Sequence, residues 1–130
     1  MLNFSREKIM RKSLATFAAF VLAASPALAG DPIAGQAIFK SQCSACHSPV
    51  AGKNLVGPSL SAVVGRTTGQ IAGFHYSAAN KAAGLTLDAG ALDRYLASPK
   101  TVIPGTTMTY AGLKDDAKRA DLIAYLETLK

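Results

Sequence analysis

The stretch Cys43-Ser44-Ala45-Cys46-His47 places two thiols and one imidazole within five consecutive residues. The spacing C-x-x-C-H is the signature of covalent haem attachment. Two sulfurs one helical turn apart can both reach one edge of a porphyrin, and the adjacent histidine can then supply the proximal nitrogen to the iron. The sequence therefore predicts one haem c, bound through Cys43 and Cys46 and ligated by His47.

A C-x-x-C pair also occurs in redox disulfides, in halves of zinc sites and as two inert buried cysteines. A thioredoxin-like disulfide is expected within a βαβ pattern, and no such pattern is visible in the sequence. A zinc site needs a second pair of ligands, and His75 is the only other Cys or His in the chain. Haem attachment is therefore the interpretation that the sequence favours.

The first 29 residues have the pattern of a Sec-type signal peptide. Arg6, Lys8, Arg11 and Lys12 precede the apolar run from Leu14 to Ala24, and Ala27-Leu28-Ala29 is a small-x-small cleavage site. The apolar run is shorter than the roughly 20 residues that span a bilayer, so an uncleaved N-terminal anchor is the less favoured alternative. We expect residues 1–29 to be cleaved and residues 30–130 to form a monohaem domain in the periplasm. No stable membrane insertion is expected after cleavage.

The net charge of the expected mature domain is modest. The full chain carries +6, and the first 29 residues contribute four bases and one acid, which leaves +3 for residues 30–130. This excess, without an arginine cluster or an aromatic platform, argues against a nucleic-acid partner. A chain of about 100 residues forms one domain with a small core, to which a buried haem would add apolar surface.

The rest of the sequence predicts helices and loops, without strand-like alternation. The helical segments are Ile33 to Ala45, Asp88 to Ser98 and Asp115 to Leu129. Asp31-Pro32 is a helix-opening pair, and Pro99 is expected to stop the second helix. Glycines punctuate Ser48 to Gly84, so this segment is expected to be irregular and organised by the cofactor. The predicted fold class is all-α.

A His-ligated haem iron has either an open sixth position or a second ligand, usually Met or His. Met1 and Met10 belong to the expected signal peptide, so Met108 is the only methionine of the mature domain. It lies in a loop constrained by Pro104-Gly105 rather than on an apolar helix face, which favours ligation over core filling. His75, in a polar loop, is the competing candidate. Met108 is the expected sixth ligand.

Six segments occur in the order found in one known family. They are Gly35–Phe39 with Cys43–His47, Val56–Leu60, Gly65–Gly69, Tyr76 with Ala79–Lys81, Ile103–Thr106 with Met108, and Arg119–Leu126. On these segments the chain resembles the class I c-type cytochromes, close to the soluble bacterial relatives of mitochondrial cytochrome c. The resemblance implies a small all-α fold in which loops wrap around one covalent haem. It also implies that the N- and C-terminal helices cross, with Gly35 and Phe39 against Leu122 and Tyr125.

The resemblance implies roles around the two iron ligands. The Pro58 carbonyl would accept a hydrogen bond from His47, and Tyr95 would bond to the region of the methionine sulfur. Asn80 would belong to a small polar network behind the haem.

The resemblance also implies that Arg66 and Tyr76 approach a haem propionate. At the place where the family usually has a tryptophan that reaches a propionate, this sequence has Leu87. Members of the family commonly have lysines around the exposed haem edge, and this sequence has fewer of them. Gln42, Thr101 and Thr107 stand at positions where lysines are common, while Lys100 is retained. We therefore expect either a partner less acidic than the oxidase that mitochondrial cytochrome c meets, or docking that relies more on apolar contact.

The function that the resemblance implies is electron transport by a periplasmic monomer and not an enzyme activity. A six-coordinate His/Met haem would cycle between Fe(II) and Fe(III), taking electrons from a dehydrogenase or cytochrome complex and passing them to an oxidase or reductase. A haem enzyme or gas sensor needs an open iron position, which ligation by Met108 would close. A dedicated subunit of one dehydrogenase complex is compatible with the same sequence.

Overall fold

The computed structural model describes residues 29–130, so all of the predicted signal peptide except Ala29 lies outside the described residues. Five helices are present in this part: α1 (Pro32–Gln42), α2 (Ala78–Ala83), α3 (Ala89–Ala97), α4 (Pro99–Val102) and α5 (Asp116–Thr128). Residues 29–130 contain no strand, and an isolated bridge joins Thr67 to Thr86. None of these helices has the length and apolarity needed to cross a membrane.

Aspartate side chains cap the three longest helices. The carboxylates of Asp31, Asp88 and Asp115 accept hydrogen bonds from backbone N–H groups in the first turns of α1, α3 and α5. Such caps satisfy donors that a helix leaves unpaired at its start. The predicted starts of these helices are therefore correct to within about one residue.

The first helix ends three residues earlier than the sequence predicts. The Phe39 carbonyl accepts hydrogen bonds from both Cys43 N and Ser44 N, at 2.9 and 3.0 Å, which closes α1 at Gln42. A separate turn follows, in which the Cys43 carbonyl accepts from Cys46 N at 3.0 Å. The two cysteines therefore lie on this turn and not within a continuous helix.

Two short helices depart from the prediction. The segment expected to be irregular contains α2, where Ser77 Oγ accepts from Asn80 N at 3.1 Å and Gly84 ends the helix with φ +58°. Pro99 ends α3 as predicted but also opens α4, because a proline costs no hydrogen bond in the first turn of a helix.

The crossing of α1 and α5 is as predicted. A Cβ on Gly35 would lie 1.9 Å from the Asp121 carbonyl oxygen, so only glycine permits the two backbones to come this close. The rings of Phe39 and Tyr125 lie 5.3 Å apart, and Leu122 is fully buried between the helices. This crossing buries Phe39, Leu122 and Tyr125 in the hydrophobic core.

Arg119 joins α5 to α3 and to the end of the preceding loop. It is 6% exposed, and it forms ion pairs with Asp93 at 2.8 Å and Asp116 at 2.6 Å. Its guanidinium also donates to the carbonyls of Leu113 and Lys114, at 2.9 and 3.1 Å. The loop that carries Met108 is therefore anchored at its C-terminal end by a buried arginine.

Candidate functional site

A cavity of about 330 Å³ lies between the helices and the long loops. All nine residues predicted for the site line this cavity: Cys43, Cys46, His47, Pro58, Arg66, Tyr76, Asn80, Tyr95 and Met108. His75 is exposed and does not line it. The structure thus brings the predicted residues together from all parts of the domain and leaves the competing histidine outside.

His47 is held by the loop that follows it. Its Nδ1 lies 2.7 Å from the Pro58 carbonyl oxygen, and a carbonyl only accepts, so Nδ1 carries the proton and donates. The tautomer leaves Nε2 as the nitrogen available to a metal. A Cβ on Gly57 would lie 2.2 Å from His47 Cε1, so the imidazole rests directly on the glycine backbone. This arrangement fits a proximal haem ligand.

Cys43 and Cys46 both line the cavity, and both are partly buried. Burial, followed by the proximity of Cys46, raises the pKa of Cys43 from 9.0 to about 11. A redox-active C-x-x-C pair needs a thiol pKa below the ordinary value, because the thiolate is the nucleophile. The raised pKa of Cys43 is therefore not the one expected of a redox-active thiol.

Met108 lies in the loop between α4 and α5. Tyr95 Oη donates a hydrogen bond to Met108 Sδ over 3.4 Å, and Met108 N donates to Thr106 Oγ1 over 3.3 Å. Burial raises the pKa of Tyr95, although hydrogen bonds with Thr106 and Asn80 oppose the shift, so its hydroxyl keeps its proton as a donor. The expected contact between Tyr95 and the methionine sulfur is present.

Gly112 fixes the far end of this loop against α3. Its φ is +102°, and a Cβ there would lie 2.2 Å from the Ala97 carbonyl oxygen. Beside it, Leu113 N donates to the Leu96 carbonyl at 2.8 Å. These two contacts with α3 fix the backbone of the loop just before α5 begins.

Arg66 and Tyr76 place polar groups at another part of the cavity wall. The Arg66 guanidinium donates to the Ser59 carbonyl at 2.9 Å and to the Ser61 carbonyl. Burial lowers the pKa of Arg66, and neighbouring Tyr76 opposes that shift, so the arginine stays charged at neutral pH. Tyr76 Oη accepts from Ile71 N at 3.2 Å. Together these contacts hold one fixed cation at the cavity.

Asn80 and Leu87 complete the wall. Asn80 Oδ1 accepts a hydrogen bond from Ser77 Oγ at 2.7 Å. Leu87 is 8% exposed and packs into the core cluster while lining the cavity, where it presents only apolar surface.

The sequence did not indicate two hydroxyl partners of the site. Thr106 supports Met108, and Ser77 supports Asn80, each through its side-chain oxygen. The signal for Ser77 is its position three residues before Asn80, where a serine caps a helix start. For Thr106 the only signal is that it is one of several hydroxyl residues beside Met108.

Helices wrapped around a cavity whose wall carries a C-x-x-C-H turn define a small all-α protein of the c-type haem class. The chain matches the family model described as Cytochrome c over residues 33–130. It therefore belongs to the cytochrome c family, and it is a class I c-type cytochrome.

Individual relatives agree with this assignment. The chain is 50% identical over 121 residues to cytochrome c2 from Blastochloris viridis, covering 91% of this chain and 93% of that protein. It is 50% identical over 113 residues to cytochrome c2 from Rhodomicrobium vannielii, covering 85% and 89%. Among solved structures, cytochrome cH from Methylobacterium extorquens matches with a TM-score of 0.71 and 45% identity, over 76% of this chain and 99% of that one.

The family fixes the cofactor and the general function. Its members bind haem c covalently, and Cys43 and Cys46 provide the attachment pattern in this chain. They are electron carriers, so the protein is an electron-transfer haem protein that exchanges electrons with redox protein partners. The predictions of fold, family and cofactor are confirmed.

Proposed function

We propose that the protein is an exported electron carrier in which His47 and Met108 would hold the iron of a single haem c. The observation that carries the proposal is that each side chain lines the same cavity with its ligating atom still able to bind. His47 uses Nδ1 for Pro58, which leaves Nε2. Met108 accepts one hydrogen bond from Tyr95 and keeps a second sulfur lone pair. His75, which is exposed and outside the cavity, offers no comparable position.

Haem c would supply a one-electron couple between Fe(II) and Fe(III). The residues of this chain would tune and protect that couple. The Pro58 carbonyl orients the His47 imidazole and raises its basicity. Tyr95 draws electron density from the Met108 sulfur, which favours the reduced state. With His47 and Met108 both holding the iron, neither water nor a substrate would have a position to bind it, as an electron carrier requires.

Arg66, Tyr76 and Asn80 would bind the polar edge of the cofactor. The Arg66 guanidinium is fixed by two backbone carbonyls, so its charge stays at the cavity and can face a carboxylate such as a propionate. Tyr76 lines the same wall and adds a phenolic hydroxyl. Leu87 offers no hydrogen bond there, so we expect Arg66 and Tyr76 to carry more of this contact than in relatives with a tryptophan.

Export to the periplasm is supported by the leader-like pattern of residues 1–29 and by one relative. The match to the Blastochloris viridis cytochrome c2 covers 91% of this chain, more than residues 30–130 provide, so it includes part of that N-terminal segment. Cleavage after Ala29 would leave Gly30 as the first residue. N-terminal sequencing of the exported protein should find Gly30, and a start within the first dozen residues would indicate a membrane anchor instead.

The partners would be a dehydrogenase or cytochrome complex as donor and an oxidase or reductase as acceptor, met by the protein as a monomer. Transient redox encounters use small interfaces, which would suit electron exchange at the edge of the cavity.

Carbon monoxide binding to the ferrous holoprotein tests the proposed ligation. The wild-type protein should cycle reversibly between its redox states and bind little carbon monoxide, because Met108 holds the sixth position. Met108→Ala should open that position and bind the gas, while His75→Ala should behave as the wild type. If His75→Ala opened the iron and Met108→Ala did not, a bis-histidine site would replace the one proposed.

A further inference from the structure

Gln42 and Tyr110 join two walls of the cavity at its solvent-facing edge. Tyr110 Oη donates a hydrogen bond to Gln42 Oε1 over 2.5 Å, across 68 positions of sequence. Gln42 is the last residue of α1 and immediately precedes Cys43, while Tyr110 follows Met108 by two residues. Both side chains line the cavity. We call this contact the Gln42–Tyr110 bridge.

The other hydrogen bonds that hold the Met108 loop, residues 103–112, run within the loop or to α3 and α4. Tyr95 of α3 bonds to Met108 Sδ, and the loop's C-terminal end is fixed where Leu113 N donates to Leu96. Within residues 29–130, the Gln42–Tyr110 bridge is the one hydrogen bond from this loop to the α1 side of the cavity. The Tyr110 ring packs against the core cluster, as does Cys43. This packing restrains the position of the Tyr110 hydroxyl.

We propose that Gln42 and Tyr110 are positioning residues for Met108, and that their bridge holds the Met108 loop closed over the cavity. This inference rests on the proposed ligation by Met108. An external ligand can reach the sixth position only after the methionine leaves, and the loop beside it must then separate from α1. That separation breaks the bridge, so the bridge lowers the population of the open state to which an external ligand binds.

Imidazole binding to the ferric holoprotein measures this population. Tyr110→Phe removes the donor and leaves the ring, and Gln42→Leu removes the acceptor at an exposed position. Each should raise the association constant for imidazole by about 2- to 10-fold, the range for loss of one hydrogen bond. The double variant should gain no more than the larger single change, because both substitutions break the same bond. The readout is the visible spectrum during titration, independent of electron transfer.

Two further variants separate positioning from general effects on α1. Gln42→Glu keeps an acceptor oxygen on a side chain of the same length, so it should bind imidazole nearly as weakly as the wild type. Gln36→Leu makes the same change as Gln42→Leu at an exposed α1 residue that does not line the cavity. It should leave the association constant unchanged.

The outcomes distinguish this inference from the ligation on which it rests. If the ferric wild type lacks methionine–iron charge transfer in the near infrared, the ligation fails and the inference fails with it. If that absorption is present but Tyr110→Phe and Gln42→Leu bind imidazole as the wild type does, only the positioning role is overturned. Additive effects in the double variant, or an equal rise in Gln36→Leu, would also overturn it.

Discussion

The hydroxyl of Tyr95 lies 3.4 Å from the sulfur of Met108 and donates to it, linking α3 to the loop that closes the cavity. The contact acts on the methionine in two ways. It restrains the direction of the Met108 side chain. It also withdraws electron density from the sulfur, because a sulfur lone pair accepts the hydrogen bond from the Tyr95 hydroxyl. The reduction potential and the strength of ligation should therefore both respond to this one hydroxyl.

Tyr95→Phe should lower the reduction potential. A sulfur without the hydrogen bond is a better electron donor and stabilises Fe(III) relative to Fe(II). If the bond contributes about 1 kcal/mol to the difference between the two states, the shift is roughly 40 mV for a one-electron couple. Spectroelectrochemical titration measures it. Tyr125→Phe, at the α1–α5 crossing, is the matched control. An equal shift of the reduction potential in both variants would show that the hydrogen bond from Tyr95 to Met108 does not set the potential.

Gly57→Ala should disturb the proximal side of the site. The added methyl group would lie 2.2 Å from His47 Cε1, so either the imidazole or the loop must move. We expect a loss of about 1–3 kcal/mol in the free energy of unfolding of the holoprotein, typical of overpacking. Gly90→Ala provides the comparison, because its methyl group would meet its nearest neighbour, Asp88 Oδ1, at 3.5 Å within α3. Denaturant unfolding that shows no difference between the two would contradict the close contact.

Arg119→Met should destabilise the end of the Met108 loop. The carbonyls of Leu113 and Lys114 would lose their donor, while Asp93 and Asp116 are exposed enough to regain water. We therefore expect the free energy of unfolding to fall by about 1–3 kcal/mol, as when a buried acceptor loses its hydrogen-bond donor. The larger penalty for a buried charge without a partner is not expected. Arg94→Met, at an exposed residue of α3, should cost much less when both are measured by denaturant unfolding.

Association with an acidic partner should depend only weakly on salt. The cavity edge is formed by uncharged residues such as Gln42, Val56 and Thr107, and Val56 is 78% exposed. Exposed charges farther apart than about 8 Å are largely screened at physiological ionic strength, so the net charge of +3 expected for residues 30–130 gives little steering.

Stopped-flow electron-transfer rates across a salt series test this expectation. Lys100→Ala should change them little, whereas Thr101→Lys with Thr107→Lys should steepen the decline by restoring a positive field at the edge. A wild-type slope as steep as that of a lysine-rich cytochrome with the same partner would show that the remaining basic residues are focused on the docking face.

The sequence predicts the parts of this fold that depend on local pattern. The C-x-x-C-H turn, the aspartate caps and the lone methionine in a Pro/Gly loop each carry their own signal. The structure brings the C-x-x-C-H residues and the methionine to one cavity. The six-residue helix α2 was not predicted, because so short a segment has too few turns to show a period. The Gln42–Tyr110 bridge was not predicted either, because it joins residues 68 positions apart that only the tertiary fold brings together.

Ligation of the iron by Met108 is the central claim, and near-infrared absorption of the ferric holoprotein tests it most directly. Thioether sulfur bound to Fe(III) gives a weak charge-transfer band in this region, which the account predicts for the wild type and for His75→Ala. Met108→Ala should lack the band and show a lower reduction potential. A wild-type spectrum without the band, or a band that survives in Met108→Ala, would contradict the account.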